Sequence, residues 1–192
     1  MQNYRSNLVG NVDLRLFQNS WYHPGSKVKI LCWMILSSLC FRHSLAIGSG
    51  FKVFLLRLFG AKIGNNVTIK PSIHIKYPWF LMIGNNSWLG EKVWIDNLSM
   101  VEIGSNCCIS QGATLVTGNH NYSNKTFDLV IKPILIEDGV WICAGSTVCP
   151  GVVCHFNSVL TTGSIASKDL LENTINTGNP AVFMKMRKFN NS

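Results

Sequence analysis

Aliphatic side chains recur at every sixth position through most of the chain after residue 60. Fifteen positions follow this period, in three runs of three and one run of six: Ile63, Ile69 and Ile75; Ile83, Leu89 and Ile95; Ile103, Ile109 and Leu115; and Ile136, Ile142, Val148, Cys154, Leu160 and Ala166. An amphipathic helix would repeat its apolar positions about every 3.6 residues. The longer period instead indicates short strands separated by bends, repeated many times.

The breaks in this period all fall after a third hexad. The step from Ile75 to Ile83 is 8 residues, and the step from Leu115 to Ile136 is 21 residues. If three hexads close one triangular coil, every insertion leaves from the same corner of a prism. The pattern therefore predicts an all-β fold, a parallel β-helix of about five coils, stacked about 4.8 Å apart into a column on the order of 24 Å tall.

The repeat divides the chain into three segments. Residues 1–60 are predicted to form an N-terminal apolar and helical cap, residues 61–170 the β-helix with a protruding loop at 121–132, and residues 171–192 a C-terminal tail that carries a GNPA motif. The longest apolar run of the cap has 14 residues, fewer than the roughly 20 that a bilayer span needs. We expect it to pack as a helix on the β-helix; peripheral membrane contact through residues 28–59 stays open as an alternative.

Composition and charge narrow the classes of function. The 192 residues are 47% apolar with a mean hydropathy of +0.20, which is enough to bury a core and argues against intrinsic disorder. The net charge of +8 favours an anionic partner, but no nucleic-acid reader motif is present. Seven cysteines without a C-x-x-C pair indicate reduced core residues. The N-terminus lacks the features of a signal peptide, so a cytoplasmic protein is expected, with attachment at the inner face of the membrane left open.

The hexads, a His on the third face, a long loop after it and the GNPA motif together resemble the hexapeptide-repeat acetyltransferases, over roughly residues 60–186. Within that family the chain is most similar to the colanic acid biosynthesis acetyltransferases, in the stretches FLLRLFGAKIG (54–64), IKYPW (75–79), VWIDNL (93–98), CISQGA (108–113) and KPI (132–134). Parallel crossovers are right-handed in general. The left-handed winding, the homotrimer and the use of acetyl-CoA are therefore expectations that the resemblance alone implies.

The resemblance assigns the catalytic role to His120, which ends the ninth hexad just before the long loop. Acetyl transfer to an alcohol requires removal of the hydroxyl proton as the oxygen attacks the thioester, and neutral imidazole, with a reference pKa of about 6.5, is suited to take it. A surface histidine at the base of a loop is the simpler alternative. A zinc enzyme on this fold would need three convergent histidines, and no second His lies near His120 in the sequence, so no metal is expected; spacing alone leaves ligands from across a trimer interface open.

Residues that bind the acceptor are expected on the strand one coil below His120 and in the loop after it. The coil register places Asp96 and Asn97 beneath the His120 strand. The resemblance implies that Asn97 contacts the acceptor sugar and that Asp96 is a partner for the acceptor or an imidazole; a plain turn at these two residues fits equally well. Tyr122 and Asp128 are predicted to supply sugar stacking and hydrogen bonding from a loop that reaches over a neighbouring subunit.

The donor is predicted to lie in a crevice between two subunits. The positions that the resemblance implies are Cys143, Ala144, Thr162, Ser167, Lys168, Asn179, Pro180 and Lys185. Small residues such as Gly145 and Gly163 would let a pantetheine arm approach the backbone, although every hexad requires small residues. The basic residue that commonly follows the G-x-P-A motif is Val182 here. This departure leaves the contact to the phosphates open among Lys168, Lys185, Arg187 and Lys188.

Three classes of function follow from these observations. The first is an acetyl-CoA-dependent O-acetyltransferase that acts on a sugar hydroxyl of an exopolysaccharide or surface-glycan precursor, carried on a lipid or a nucleotide. The second is an acyltransferase of different chemistry, which acts on an amino sugar or nucleotide sugar or takes its acyl group from a carrier protein. The third is a non-catalytic β-helix that serves as a scaffold.

Overall fold

The computed structural model describes residues 11–42 and 48–190, most of which form a triangular column of short parallel strands. The strands of the first three coils are β1 (Lys62–Ile63), β2 (Thr68–Ile69), β3 (His74–Ile75), β4 (Leu81–Ile83), β5 (Trp88–Leu89), β6 (Trp94–Asp96), β7 (Val101–Ile103), β8 (Cys108–Ile109) and β9 (Thr114–Val116). Next come a hairpin, β10 (Gly118–His120) and β11 (Leu129–Ile131), and two further coils, β12 (Ile134–Ile136), β13 (Trp141–Ile142), β14 (Thr147–Val148), β15 (Val153–Cys154), β16 (Val159–Leu160) and β17 (Ile165–Ala166). The last strands are β18 (Thr174–Gly178) and β19 (Ala181–Met186).

Each coil contributes one strand to each of three sheets, which form the faces of the prism. The first face has the order β1-β4-β7-β12-β15, the second face β19-β18-β16-β13-β8-β5-β2, and the third face β17-β14-β9-β6-β3. A parallel bridge between Cys154 and Leu170, together with β18, begins a sixth coil that is not completed. The predicted parallel β-helix of about five coils is confirmed.

The core is the column of aliphatic side chains inside the prism. All fifteen anchors of the six-residue period are buried, with exposures between 0 and 8%. Equivalent anchors of successive coils lie in register, as Ile95 and Leu115 do on the third face. Burying one such side chain stabilises the fold by about 1.5–3 kcal/mol. Because this burial requires a neighbouring coil, the coils stabilise one another rather than folding singly.

The corner between the first and second faces repeats one turn in coil after coil. Asn66, Asn86 and Asn106 have left-handed backbones there, with φ of 56°, 59° and 57°, a conformation that asparagine tolerates better than most residues. Their side-chain amides bond in a ladder, at 3.2 Å and then 3.4 Å. Gly139 takes the same place in the fourth coil, where a Cβ would lie 2.2 Å from Asn157 Oδ1. We call this turn stack the asparagine corner.

The corner between the third and first faces carries all three insertions, as the spacing of the hexads predicts. The first insertion contains a single turn of 3-10 helix, Pro78–Phe80. The longest insertion projects as the antiparallel hairpin β10–β11. Residues 121–132, expected as a loop, therefore comprise the turn and the second strand of this hairpin. We call this region the insertion corner.

Two helices, α1 (Lys27–Cys40) and α2 (Ser49–Leu58), cover the base of the column. Helix α1 begins after Ser26, whose side chain accepts a hydrogen bond from a backbone N–H of the first turn. On its inner side Trp33 is 2% exposed and donates from Nε1 to the Ile75 carbonyl at 2.9 Å. Helix α2 lies beneath β1 and β2, and the buried Lys52 donates from Nζ to the Lys70 carbonyl at 3.0 Å. The helical cap expected from the sequence is present at these residues.

The segment before α1, residues 11–25, runs along the insertion corner, and we call it the strap. Trp79 of the first insertion donates from Nε1 to a strap carbonyl. The Tyr22 hydroxyl of the strap donates to a carbonyl of the second insertion at 2.8 Å. The Asp13 N–H donates to the Lys125 carbonyl of the third insertion at 2.9 Å. The strap thus contacts all three insertions, a course that the sequence had not predicted.

Candidate active site

The hairpin that carries His120 is anchored at its root by Thr117. This side chain is fully buried, and its Oγ1 donates to the Asp96 carbonyl and accepts from the Ser99 N–H, both at 3.0 Å. The Thr117 carbonyl accepts from the Lys132 N–H at 2.9 Å, which closes the other side of the hairpin. Because both ends of the hairpin are tied to the buried corner, β10 has a fixed direction.

His120 ends β10 between two aromatic rings. The Phe127 ring stacks on the imidazole with centroids 4.3 Å apart and an interplanar angle of 6°. The Phe17 ring of the strap lies 5.6 Å away at 57°. The His120 N–H donates to the Asn119 side chain at 2.8 Å. These contacts restrict the rotation of a half-buried imidazole.

The Nδ1 atom of His120 lies 2.9 Å from the carbonyl oxygen of Phe127. A carbonyl can only accept, so the neutral imidazole carries its proton on Nδ1 and keeps a lone pair on Nε2. Phe127 has a left-handed backbone, with φ of 51°, a rare conformation for a bulky residue. This conformation sets the direction of its carbonyl. The hairpin therefore presents Nε2 of His120 as a proton acceptor.

The turn of the hairpin contains the two residues predicted to contact a sugar from the loop. Asn124 donates to Asp128 Oδ2 at 3.0 Å. Hydrogen bonds from Asn124 and Thr126 hold the pKa of the Asp128 carboxyl below its usual value. Asp128 thus helps to shape the turn. Tyr122 lies in the same turn and is 80% exposed. Among the described residues, no aromatic ring stacks on it.

The strap brings side chains to the site that sequence reasoning missed. Phe17 reaches the imidazole, and Tyr22 lies half-buried beside the second insertion. Burial, together with the nearby Tyr77 and Asp96, raises the pKa of the Tyr22 hydroxyl, so it remains protonated and donates to the Leu98 carbonyl. No motif or periodicity in the first 25 residues marks this role, because the strap is ordered by contacts with residues far away in the chain.

Asp96 lies one coil below the hairpin root, paired with Val116 on the third face. Its Oδ1 is 2.8 Å from Lys76 Nζ, and the two side chains are 23% and 40% exposed. The ion pair uses one carboxylate oxygen, and the Asp96 side chain is partly exposed. This is the position that the coil register predicts for Asp96.

Asn97 does not have the place that the resemblance implied. It is fully buried, and its Nδ2 donates to the Tyr77 carbonyl at 2.7 Å and to the Phe80 carbonyl at 3.0 Å. Its Oδ1 accepts from the Tyr77 N–H at 3.0 Å. An amide with these bonds has no free donor to offer a sugar. Asn97 holds the first insertion against the second, and the turn alternative describes it better than acceptor contact.

The predicted donor-binding residues lie in three places on one chain. Cys143, Ala144 and Thr162 lie at the corner between the second and third faces; Ser167 and Lys168 follow β17 at the insertion corner; Asn179 and Pro180 form the turn between β18 and β19, and Lys185 lies on β19. The third face separates the first group from the second. A ligand that contacts both corners must therefore cross this face or lie between two chains.

Gly145 and Gly163 have left-handed backbones and open space beside them. Their φ angles are 63° and 69°, and a Cβ on either residue would meet nothing within 4 Å. The left-handed turn favours glycine at both positions, and the open space beside them leaves the pantetheine approach expected from the sequence untested. Next to this corner, burial raises the pKa of the Cys143 thiol to about 11. Cys143 is therefore a neutral thiol at physiological pH, and not a nucleophile.

The Arg187 side chain makes hydrogen bonds within the fold. Its guanidinium donates to the carbonyls of Gly139 and Asn157 at 2.8 Å and 3.0 Å, which ties the end of the chain to the asparagine corner. Of the four basic candidates for a phosphate contact, Lys168, Lys185 and Lys188 are exposed.

Across residues 11–42 and 48–190, no three His, Cys, Asp or Glu side chains converge into a group that could hold a metal ion. Two other described histidines have local contacts of their own. His155 Nδ1 lies 3.1 Å from Glu137 Oε1, and the His74 ring lies 6.3 Å from that of Trp94. His43 lies outside the described residues.

Solved structures share this architecture. A galactoside acetyltransferase in complex with coenzyme A is 26% identical, with a TM-score of 0.75 over 84% of this chain and 82% of that one. A hexapeptide-repeat-containing acetyltransferase from Vibrio cholerae, complexed with acetyl coenzyme A, has a TM-score of 0.78 at 20% identity, over 85% of this chain and 89% of that one. The fold is the left-handed parallel β-helix of these acetyltransferases.

Individual relatives define the family, since no protein-family model matches the chain. The chain is 36% identical over 166 residues to the colanic acid biosynthesis acetyltransferase WcaF of Escherichia coli K12, which covers 86% of this chain and 91% of that protein. It is 33% identical over 129 residues to the galactoside O-acetyltransferase of the same organism, over 66% of this chain and 64% of that protein. The chain therefore belongs to the hexapeptide-repeat acetyltransferases, and the resemblance seen in the sequence is confirmed.

Proposed function

We propose that the protein transfers the acetyl group of acetyl-CoA to a hydroxyl of a saccharide, a precursor of an exopolysaccharide or surface glycan. The observation that carries the proposal is the contact of His120 Nδ1 with the Phe127 carbonyl, which leaves Nε2 free to accept a proton. Two relatives support the choice of substrates. WcaF is named for colanic acid biosynthesis, and a galactoside acetyltransferase was solved with coenzyme A.

His120 acts as the general base in this proposal. Its Nε2 takes the proton of the acceptor hydroxyl as the oxygen attacks the carbonyl carbon of the thioester. The carbon–sulfur bond then breaks, and the imidazolium returns its proton to the departing sulfur. The products are an acetyl ester and the free thiol of coenzyme A. The Phe127 carbonyl positions the ring and stabilises the imidazolium through Nδ1 while the charge is present.

The acceptor is proposed to bind at the insertion corner, below the imidazole and beside the strap. Asp96 offers a carboxylate oxygen to a sugar hydroxyl, because Lys76 occupies only one of the two. Phe17 offers an apolar ring edge next to His120. Tyr122 and Asp128 lie in the hairpin turn, where they would face a sugar held against a neighbouring subunit.

The donor site is proposed to form between subunits of a homotrimer. The donor candidates lie at two corners of the prism that one chain keeps a full face apart. Packing the corner of Ala144 and Thr162 from one subunit against the insertion corner of the next would bring the two sets together. Exposed Lys168 and Lys185 would then supply charge for the phosphates. Since acetyl-CoA is made inside the cell, we place the reaction in the cytoplasm.

The experiment compares acetyl transfer by the wild type with that of His120→Ala, using acetyl-CoA and a panel of saccharides. Loss of a general base should lower turnover by about 10²-fold or more. His155→Ala is the matched control, because His155 is also half-exposed but lies at the asparagine corner, paired with Glu137. Turnover of His120→Ala close to that of the control would remove His120 from its proposed role.

Donor binding is checked separately by thermal unfolding with and without acetyl-CoA. A ligand present at about 100 times its Kd stabilises the native state by about 2.7 kcal/mol, and His120→Ala should retain this shift. A folded wild type that acetyl-CoA does not stabilise would contradict the donor and favour another acyl donor or a scaffold. Transfer to amino sugars alone would replace O-acetylation with N-acylation.

A further inference from the structure

The helices at the base of the column are apolar on both sides. Their inner sides pack on the first coil, through Trp33 of α1 and Leu56 of α2, which are 2% and 0% exposed. A helix in a soluble protein normally exposes polar side chains opposite its buried stripe. Here the outer sides of α1 and α2 are apolar as well. Packing on the first coil explains the apolar side chains of the inner sides but not those of the outer sides.

The outer stripes have helical spacing. Val28, Leu31, Ile35 and Leu39 follow one side of α1, and they are 72%, 58%, 54% and 58% exposed. On α2, the outer stripe includes Phe54 and Leu58, which are 58% and 65% exposed. We call these six side chains the basal surface. Exposed apolar side chains at helical spacing on both helices of the cap indicate an interaction site, because isolated exposed side chains do not follow a helical spacing.

Charge is distributed very unevenly between the base of the column and the coils above it. The described residues of the helices and the first coil, 27–42 and 48–76, contain eight Lys and Arg and no Asp or Glu, whereas residues 91–190 contain seven basic and eight acidic residues. From position 14 to position 90 there is no Asp or Glu at all. Lys27 at the start of α1, Arg42 just after its end and Lys62 on β1 are exposed. An apolar surface bordered by positive charge alone complements a surface that is apolar and negative.

We propose that the basal surface docks on an anionic lipid bilayer, with α1 and α2 lying in the plane of the interface. Amphipathic helices bind in this way when their apolar side chains enter the headgroup region and flanking Lys and Arg contact anionic lipids. Within the described residues, no helix is long and apolar enough to cross a bilayer. A second copy of the chain fits the surface less well, because pairing would bring two positively charged ends together.

Docking in this orientation sets the height of the proposed active site. The hairpin of His120 leaves the third coil, two coil steps above the first. Two steps of about 4.8 Å and one helix diameter of about 10 Å put His120 on the order of 20 Å above the membrane. If the proposed function holds, this height suits a saccharide that extends from a lipid carrier. The docking itself does not depend on the activity.

The test is sedimentation of the full-length protein with vesicles of phosphatidylcholine, with and without phosphatidylglycerol. We expect binding to the vesicles that contain phosphatidylglycerol, weaker binding to phosphatidylcholine alone, and partial release in high salt because the charges are screened. Failure of the wild type to bind phosphatidylglycerol vesicles at low salt would overturn the proposal. So would equal binding to both vesicle types, since it would remove the role of charge.

The matched variants replace leucines of similar exposure at opposite ends of the column. The double variant Leu31→Ser/Leu58→Ser removes two side chains of the basal surface. The control, Leu171→Ser, removes a leucine side chain that is 66% exposed and lies beside the sixth coil, at the other end of the column. Vesicle binding should fall by about tenfold or more in the double variant and stay unchanged in the control. Unchanged binding of the double variant would contradict the proposal. A change in its oligomeric mass would assign the surface to contact between copies of the chain instead, and acetyl transfer to a soluble sugar reports separately on the active site.

Discussion

The insertion corner and the asparagine corner lie on the same column but are built by different rules. At the asparagine corner each coil repeats the same turn, and the amide of Asn86 bonds to Asn66 below and Asn106 above. At the insertion corner the side-chain contacts differ between coils: Asn97 bonds to backbone atoms of the first insertion, and Thr117 to those of the second. The first corner maintains the stacking of coils, whereas the second holds one particular hairpin.

The difference shows where a repeat protein can carry functional residues. A turn that is used in every coil cannot be altered in one coil without disturbing its neighbours on both sides. An insertion is free of that constraint, since it lies outside the stacked faces, but it needs its own anchors. The buried side chains of Asn97 and Thr117, and the strap, supply them. We therefore expect variants of the two corners to separate stability from activity.

The largest effect is expected for Thr117→Val, which keeps the volume and removes the hydroxyl. The Ser99 N–H would lose its partner in a buried corner, at a cost of about 1–3 kcal/mol in unfolding free energy. Because the hairpin root would shift, we also expect kcat to fall by more than about tenfold. Denaturant unfolding and acetyl transfer measure the two effects.

Thr68→Val is the control for this substitution, since Thr68 lies half-exposed on the second face of the first coil, away from the hairpin. Thr68→Val should change neither the unfolding free energy nor kcat appreciably. Normal turnover of Thr117→Val would show that His120 does not depend on the root of the hairpin.

A smaller effect on activity alone is expected for Gly118→Ala. A Cβ on Gly118 would lie 2.5 Å from Leu98 Cδ1, so either the leucine side chain or β10 must move. We expect kcat to fall several-fold, with an unfolding free energy within about 1 kcal/mol of the wild type because Leu98 is half-exposed. Adding Leu98→Ala should restore turnover; no recovery in the double variant would mean that the contact with Leu98 is not the cause.

The opposite outcome is expected at the asparagine corner. Asn86→Ala removes two ladder bonds and places alanine at a φ of 59°, which costs roughly 1–2 kcal/mol. Asn86→Gly should cost less, since glycine accepts this conformation. Turnover should remain normal in both variants. A loss of activity in Asn86→Ala at a temperature where it is fully folded would break the separation between the two corners.

The smallest effect concerns pH and the buried thiols of the regular coils. Burial raises the pKa of Cys107 and of Cys143 to about 11, from an ordinary value of 9.0. As the pH rises, the unfolded chain therefore loses these protons first. Their contribution to stability is complete below pH 9 and is lost between about pH 9 and 11. Cys107→Ala/Cys143→Ala should show a smaller decrease in Tm over that range than the wild type, whereas the exposed Cys32→Ala should match the wild type.

The sequence predicts the regular parts of the molecule well and the irregular parts poorly. A six-residue period is enough to identify every buried anchor from Ile63 to Ala166, because burial is dictated by the same position in each coil. The three slips of that period also identify the corner from which the hairpin projects. His120, to which the resemblance assigns the catalytic role, lies at the third of these breaks.

Contacts that depend on the path of the chain outside the repeat could not be predicted. Asn97 and Asp96 are adjacent in the sequence, and only the structure shows that one is buried in a turn and the other partly exposed. The approach of Phe17 to His120 joins residues about a hundred positions apart, without a periodic signal. The need for glycine at position 145 follows from its φ rather than from crowding, which composition does not distinguish.

The central claim is that the insertion corner fixes the proton of His120 on Nδ1 and leaves Nε2 as the base. It is tested most directly by nuclear magnetic resonance of protein labelled with ¹⁵N-histidine, with His120→Ala used to assign the ring signals. At a pH where the imidazole is neutral, we predict that the His120 ring is protonated on Nδ1 and carries an unprotonated Nε2. A His120 ring protonated on Nε2 would contradict the account, because the nitrogen offered to the acceptor hydroxyl would then have no lone pair to receive its proton.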